Sequence, residues 1–246
     1  MAIPLLKPRH AVPELVEGAS HFEIALEKLA NGSDSIAIDA ERASGFRYHS
    51  RAYLIQIFRR NGGLYLIDPI SIGETKLWEE MSDAFSELEW VIHASTQDLP
   101  CLRELGIEPK KIFDTELGGR IAGCSRVGLG PLCESLLDIE LAKEHSAVDW
   151  STRPLRPEWL NYAALDVDVL IDLKDAVAKL LEESGKLEIA KIEFDHVLTI
   201  DLQPERTDPW RRTSGMHKVR SRHNLALVKV LWHLRNQFAQ EVDLAP

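Results

Sequence analysis

Apolar positions along the chain follow two periods. After a proline-rich, irregular stretch over residues 1–18, "SHFEIALEKLANG" spaces its apolar residues as a helix does, with Ser at its start and Gly at its end. The pattern then becomes strand-like in "SIAIDA", "YLIQIF" and "GLYLID". "NGG" at residues 61–63 separates the second run from the third and predicts an antiparallel hairpin. "ETKLWEEMSDAF" returns to helical spacing, "EWVIHA" is a short buried strand, "TQDLPCLRELG" a helix and "KKIFDT" a further strand. Beyond it the pattern is helical through "TELGGRIAG", "GPLCESLLD" and "KLEIAKIEFDHVL", with residues 156–184 forming one long helix or two. Residues 201–210, polar and with two prolines, read as a linker, and "RHNLALVKVLWHLRNQFAQEV" as an amphipathic helix. Five strands with helices between and after them predict an α/β fold, a mixed sheet flanked by helices.

Composition narrows this picture only slightly. With 246 residues, 45% hydrophobic and 28% charged, the chain suits one sizeable soluble domain plus a small one. No apolar run approaches about 18 residues, so no transmembrane helix is expected, and the N-terminus lacks the apolar core of a signal peptide. Cys101, Cys124 and Cys133 form no CxxC pair and read as reduced, mostly buried residues of a cytoplasmic protein. Charge is more informative. The net charge is −10, but residues 201–246 carry eight Lys and Arg against five Asp and Glu. An acidic body with a basic tail is compatible with a catalytic domain joined to a nucleic-acid-binding appendage, and equally with chance surface asymmetry.

The candidate chemistry starts at "IAIDAE". On a strand, residues two apart share a face about 7 Å apart. Asp39 and Glu41 therefore leave one side of the sheet, on the parity opposite to Ile36 and Ile38. Two such carboxylates repel unless a cation lies between them, and hard cations take oxygen ligands of this kind. Asp98 follows the strand "VIHA" in the first turn of a helix, where the helix dipole alone would favour an acid. Tyr162 and Asp166 lie four apart and stack on one helical face. Asp168 and Asp172 form a similar pair on another face and are expected to be solvated. Each feature alone has a plainer explanation as a polar strand end, a helix start or a surface acid. Together they supply four carboxylates and a phenol from separated elements, enough to hold two divalent ions about 3.5–4 Å apart for attack on a phosphodiester.

In this order the motifs "IAIDAE", "YLIQIF", "LYLIDP", "HASTQDL", "FDTELGGRIAG" and "DWSTRPLRPEWLNYAALDV" resemble the DEDD 3′-5′ exonucleases of the tyrosine-bearing subclass, and among them ribonuclease D. The resemblance covers the first 200 residues. It implies a ribonuclease H-like fold over residues 1–204 and two Mg²⁺ or Mn²⁺ ions held by Asp39, Glu41, Asp98 and Asp166. Asp39 bridges both ions, Glu41 and Asp166 complete the site that activates water, Asp98 serves the second ion, and Tyr162 orients the attacking water. The implied substrate is RNA with a free 3′ end, such as a tRNA precursor, cut to nucleoside 5′-monophosphates. A DNA exonuclease of the Werner type and a catalytically silent nucleic-acid-binding module are the alternatives.

The family usually has Thr between the first two acids and an aromatic after the second; here Ala40 and Arg42 stand there, which alters contacts to the terminal nucleotide. Arg42, Arg47 and Arg51 either hold phosphates or bases or form a solvated loop. His93 either lines the site or packs behind its strand. Arg153 either clamps a loop through Asp149 or meets substrate, and Gln56 reads as a hydrogen-bonded structural residue. Residues 205–246 resemble the start of an HRDC-like helical domain, too short for a complete bundle and so expected to be truncated. Trp210, Leu231 and Trp232 are its expected core, and Arg211, Arg212, Lys218, Arg220 and Arg222 its contacts to RNA phosphates.

Overall fold

A computed structural model describes residues 2–142, 148–204 and 206–246. The five expected strands are β3 (Ser33–Arg42), β4 (Ala52–Arg60), β5 (Gly63–Ile67), β6 (Glu89–Ile92) and β7 (Lys111–Asp114). They form one mixed sheet in the order β5-β4-β3-β6-β7. The hairpins β3–β4 and β4–β5 are antiparallel, and β6 and β7 add in parallel. Asn61 and Gly63 adopt φ of 62° and 100°, the left-handed conformations that a tight β4–β5 turn requires. β4 is buried from Ala52 to Phe58, as expected of a strand covered on both faces.

Three short strands escape the pattern reading. β2 (Leu15–Val16) extends the sheet beside β5, and β1 (Ile3–Leu5) pairs in parallel with β8 (Ile139–Leu141) in a separate ribbon. Two or three residues contain too little alternation to register as a period. Residues expected to be irregular at the N-terminus, or helical around 139, are therefore partly extended.

Helices α1 (Ala19–Ala30), α2 (Pro69–Ile72), α3 (Leu77–Phe85), α4 (Leu99–Arg103), α5 (Thr115–Ala122), α6 (Leu129–Leu137), α7 (Pro157–Asp168), α8 (Leu170–Glu183) and α9 (Leu187–Thr199) cover the sheet. Gly18, rather than Ser20, caps α1. The two faces of the sheet make two apolar cores. Ile36, Ile38, Ile55 and Ile57 pack with Phe22 and Leu29 of α1 on one side. Ala37, Leu54, Phe58 and Leu66 pack with Trp159, Ala163, Ala164 and Val167 of α7 on the other. The face of β3 that α7 covers is thus the face bearing Asp39 and Glu41.

Residues 156–184 form two helices, broken at Val169. Asp168, expected to be solvated, is fully buried at this break. Its carboxylate accepts from the Arg9 amide at 3.0 Å and Arg9 Nε at 2.9 Å, and meets His10 Nδ1 at 2.8 Å. Arg9 also reaches half-exposed Asp172. The partner that overturns the surface reading lies 159 residues away in sequence.

Beyond the sheet, the turns Pro209–Arg212 and Met216–Lys218 lead into α10 (Arg222–Glu241), capped by Ser221 Oγ, which accepts from the Asn224 amide. The expected domain boundary falls at residue 205, outside the described residues. Trp210 is buried as expected, but Leu231 is 55% exposed and Trp232 only half-buried. With Ala239 the only buried residue of α10, no core surrounds them among the described residues. No described helix is long and apolar enough to cross a membrane.

Candidate active site

β3 carries Asp39 and Glu41 out of the core on one face, and α7, packed across that face, presents Tyr162 and Asp166 one turn apart. Carboxylate oxygens of Asp39, Glu41 and Asp166 lie within 4.8 Å of one another. With Asp98, Tyr162, Ala40, Arg42, His93 and Gln97 they line one cavity of about 520 Å³. All five sequence-predicted motif residues therefore meet at one place.

Asp98 separates the two explanations open at the sequence level. It occupies the N-cap of α4, yet its side chain accepts no bond from that helix. Asp68 and Asp114, at the N-caps of α2 and α5, each accept from two amides of the helix that follows. Asp98 instead turns toward Asp39, close enough to share a proton with it. An acid that forgoes its cap to face Asp39 and the Arg42 guanidinium inside the cavity is not explained by helix stabilisation.

The electrostatics follow from burial and crowding. Burial pushes the Asp39 carboxyl upward. Burial, then Asp39 and the other acids, push Glu41 well above the ordinary carboxylate range. Burial and Asp39 do the same to Asp98 and Asp166. Tyr162 donates to Asp166, and burial beside that acid raises its phenol far above the ordinary value, so it remains protonated at neutral pH. His93 is held below its ordinary value by burial, its Nδ1 2.9 Å from Thr115 Oγ1, and is neutral at pH 7. It both lines the cavity and packs behind the strand.

A residue whose role sequence reading missed supports the site. Asp114, buried at the end of β7, accepts from the Ala94 and Ser95 amides at 3.1 and 2.8 Å and from Ser95 Oγ at 2.7 Å. It fixes the turn, with Ala94 at φ 58°, that leads from β6 to Asp98. The signal was present in "FDTELGG", an acid placed to cap a helix.

Other expectations change. Arg153 contacts neither Asp149 nor the cavity: its Nε and Nη2 clamp Asp68 at 2.7 and 2.8 Å, and it also donates to the Trp150 and Tyr53 carbonyls. Asp149 instead accepts from Ser151. Arg47 donates to Ser151 Oγ, and Arg51 faces Asp243; neither lines the acid cavity. Gln56 is fully buried opposite Asp39 on β4, but neither amide atom finds a partner among the described residues. Ala40 is buried at the cavity edge. Arg211 and Arg212 sit on the exposed turn after the linker, Arg211 stacked 4.4 Å over Trp210.

The donor set fits a hard divalent cation: it is all oxygen, clustered and, among the described residues, lacking an equal countercharge.

Comparison with known proteins agrees. Residues 13–182 match the family described as 3′-5′ exonuclease. The chain is 27% identical to the exosome complex exonuclease RRP6 of Saccharomyces cerevisiae over 96% of its own length and 34% of that protein's. A crystal structure of a protein from Bifidobacterium adolescentis superposes with a TM-score of 0.96 at 42% identity, covering all of this chain and 60% of that one. The crystal structure of Escherichia coli RNase D, an exoribonuclease involved in structured RNA processing, superposes with a TM-score of 0.73 at 27% identity over 94% of this chain and 62% of that one. The chain thus spans between about a third and three fifths of the length of these relatives. From its fold, its acid cavity and this match across residues 13–182, the chain belongs to the 3′-5′ exonuclease family.

Proposed function

We propose that the chain is a two-metal-ion 3′-5′ exoribonuclease that removes nucleoside 5′-monophosphates from RNA with a free 3′ end, tRNA precursors among its substrates. The observation that carries this reading is the convergence of Asp39, Glu41 and Asp166 within 4.8 Å, with Asp98 and Tyr162 in the same cavity. Asp39, Glu41, Asp98 and Asp166 would hold two Mg²⁺ or Mn²⁺ ions. Bound there, such ions make water acidic at neutral pH and neutralise charge on the leaving oxygen.

The residues do the rest. Tyr162, kept protonated beside Asp166, is no base; it lines the cavity, where its oxygen would accept from the attacking water and orient it. Water gives up a proton to solvent as its oxygen bonds to phosphorus, the bond from phosphorus to the 3′ oxygen breaks, and that oxygen takes up a proton from solvent. Ala40, Arg42 and His93 line the same cavity and would meet the terminal nucleotide. Residues 205–246 act as part of an HRDC-like nucleic-acid-binding region, with Arg211 and Arg212 on phosphates. The three free cysteines, two of them buried, suit a reducing cytoplasm.

The test is digestion of matched RNA and DNA oligonucleotides, labelled at the 5′ end, with Mn²⁺ or Mg²⁺. A ladder shortening from the 3′ end of RNA, with mononucleotide release, is expected. Faster loss of DNA would transfer the activity to the Werner-type reading. No release with either ion would leave a nucleic-acid-binding module.

A further inference from the structure

Arg42 ends β3, one residue beyond Glu41. By strand alternation it belongs on the face opposite Glu41. The β3–β4 register shifts at this point, with Glu41 opposite Leu54 but Arg42 opposite Ala52. An irregularity of this kind re-aims side chains, and Arg42 lines the same cavity as the acids. Its guanidinium donates to the Gln97 carbonyl at 2.7 Å and to Gln97 Oε1 at 3.2 Å, and stands 3.6 Å from Asp98 Oδ1. Its Nε is buried with no partner among the described residues. Among the described residues lining the cavity, with His93 neutral, Arg42 carries the one full positive charge.

The acids divide accordingly. Among the described residues, Asp39, Glu41 and Asp166 converge with no side-chain cation within salt-bridge distance, whereas Asp98 already faces Arg42. A guanidinium and a divalent ion repel, and they cannot both take the same carboxylate at close range. We propose that Arg42 is a built-in counter-ion on the Asp98 side of the cavity that competes with the second metal ion, so that the two ions bind in sequence. The first enters among Asp39, Glu41 and Asp166; the second binds only as the guanidinium leaves Asp98. The planar fork of the displaced guanidinium matches phosphate oxygens, so the incoming RNA phosphate gives it a new partner. This inference rests on the two-metal reading above.

Mn²⁺ binding followed by electron paramagnetic resonance of the free ion, with calorimetry, tests it without reference to turnover. The wild-type protein should bind one ion tightly and a second more weakly. Arg42→Met should tighten the second site at least about fivefold, the lower end of ordinary coupling between sites, and leave the first within about twofold. Arg42→Lys, which keeps the charge but not the two-pronged hold on Gln97, should fall between them; its melting curve, with that of Arg42→Met, verifies folding. Two ions with the same constants in wild type and both variants would overturn the proposal and leave the two-metal reading standing. No bound Mn²⁺ in any of the three would overturn both.

Discussion

Two groups of buried and half-buried acids in this protein meet opposite fates. At the structural joints each acid is supplied by the chain itself. Asp68 is clamped by Arg153 and caps α2, Asp168 is bound by Arg9 and His10, and Asp114 accepts four backbone amides of the β6–α4 turn and helix α5 within 3.1 Å, besides the Ser95 hydroxyl. In the cavity, four acids share a single guanidinium among the described residues. Burial raises all four, and repulsion from neighbouring acids adds to it at Glu41, Asp98 and Asp166. An acid whose partner is inside the fold holds elements together; an acid without one is poised for a cation from solution.

The comparison can be broken first at Asp39. Asp39→Ala should lower the nuclease rate by about 10³-fold or more, since loss of ion-mediated stabilisation is worth several kcal/mol and each 1.36 kcal/mol is tenfold. Folding should survive, because the change relieves repulsion. A variant that retains near-normal mononucleotide release would refute the assignment. Arg153→Ala should do the reverse: it strands Asp68 in the core, costing about 3–5 kcal/mol by chemical denaturation. Asp168→Ala, with Arg9 and His10 half-exposed and free to rehydrate, should cost less, about 2 kcal/mol.

Tyr162→Phe should slow turnover by about 10²-fold, within the range of groups that position or move protons, with Mn²⁺ affinity unchanged; weakened Mn²⁺ binding would mean that the phenol holds the metal site rather than the water.

The smallest effect is on pH. Cavity acids raised in the folded state hold protons that the unfolded chain has already released, so the folded state binds more protons than the unfolded one. Metal-free stability should therefore be fully present below the ordinary carboxylate range and fall as pH rises through the raised values. Asp39→Asn should flatten that fall, and saturating Mn²⁺ should abolish it. Stability that rises with pH across this window in metal-free protein would contradict the electrostatic account.

The same comparison explains what the sequence made legible. Asp39 and Glu41 interrupt a strand whose alternation is otherwise apolar, and Tyr162 and Asp166 are spaced by one helical turn, so their local patterns single them out. On the proposed reading their partners would be ions outside the chain, and no distant residue has to be guessed. The joints are different. Asp168 has the helix spacing of a surface pair, and only the fold brings Arg9 to it. Arg153 meets Asp68 across 85 residues. The re-aiming of Arg42 depends on one register shift that no periodicity records. The C-terminal helix was legible as a helix, but of its expected core only Trp210 is buried; Leu231 is 55% exposed and Trp232 half-buried.

A crystal grown with Mn²⁺ and measured for anomalous scattering tests the central claim most directly. The account predicts two peaks about 3.5–4 Å apart, one among Asp39, Glu41 and Asp166 and one beside Asp98, with Arg42 withdrawn. A cavity without an anomalous peak, its carboxylates still facing one another, would contradict it.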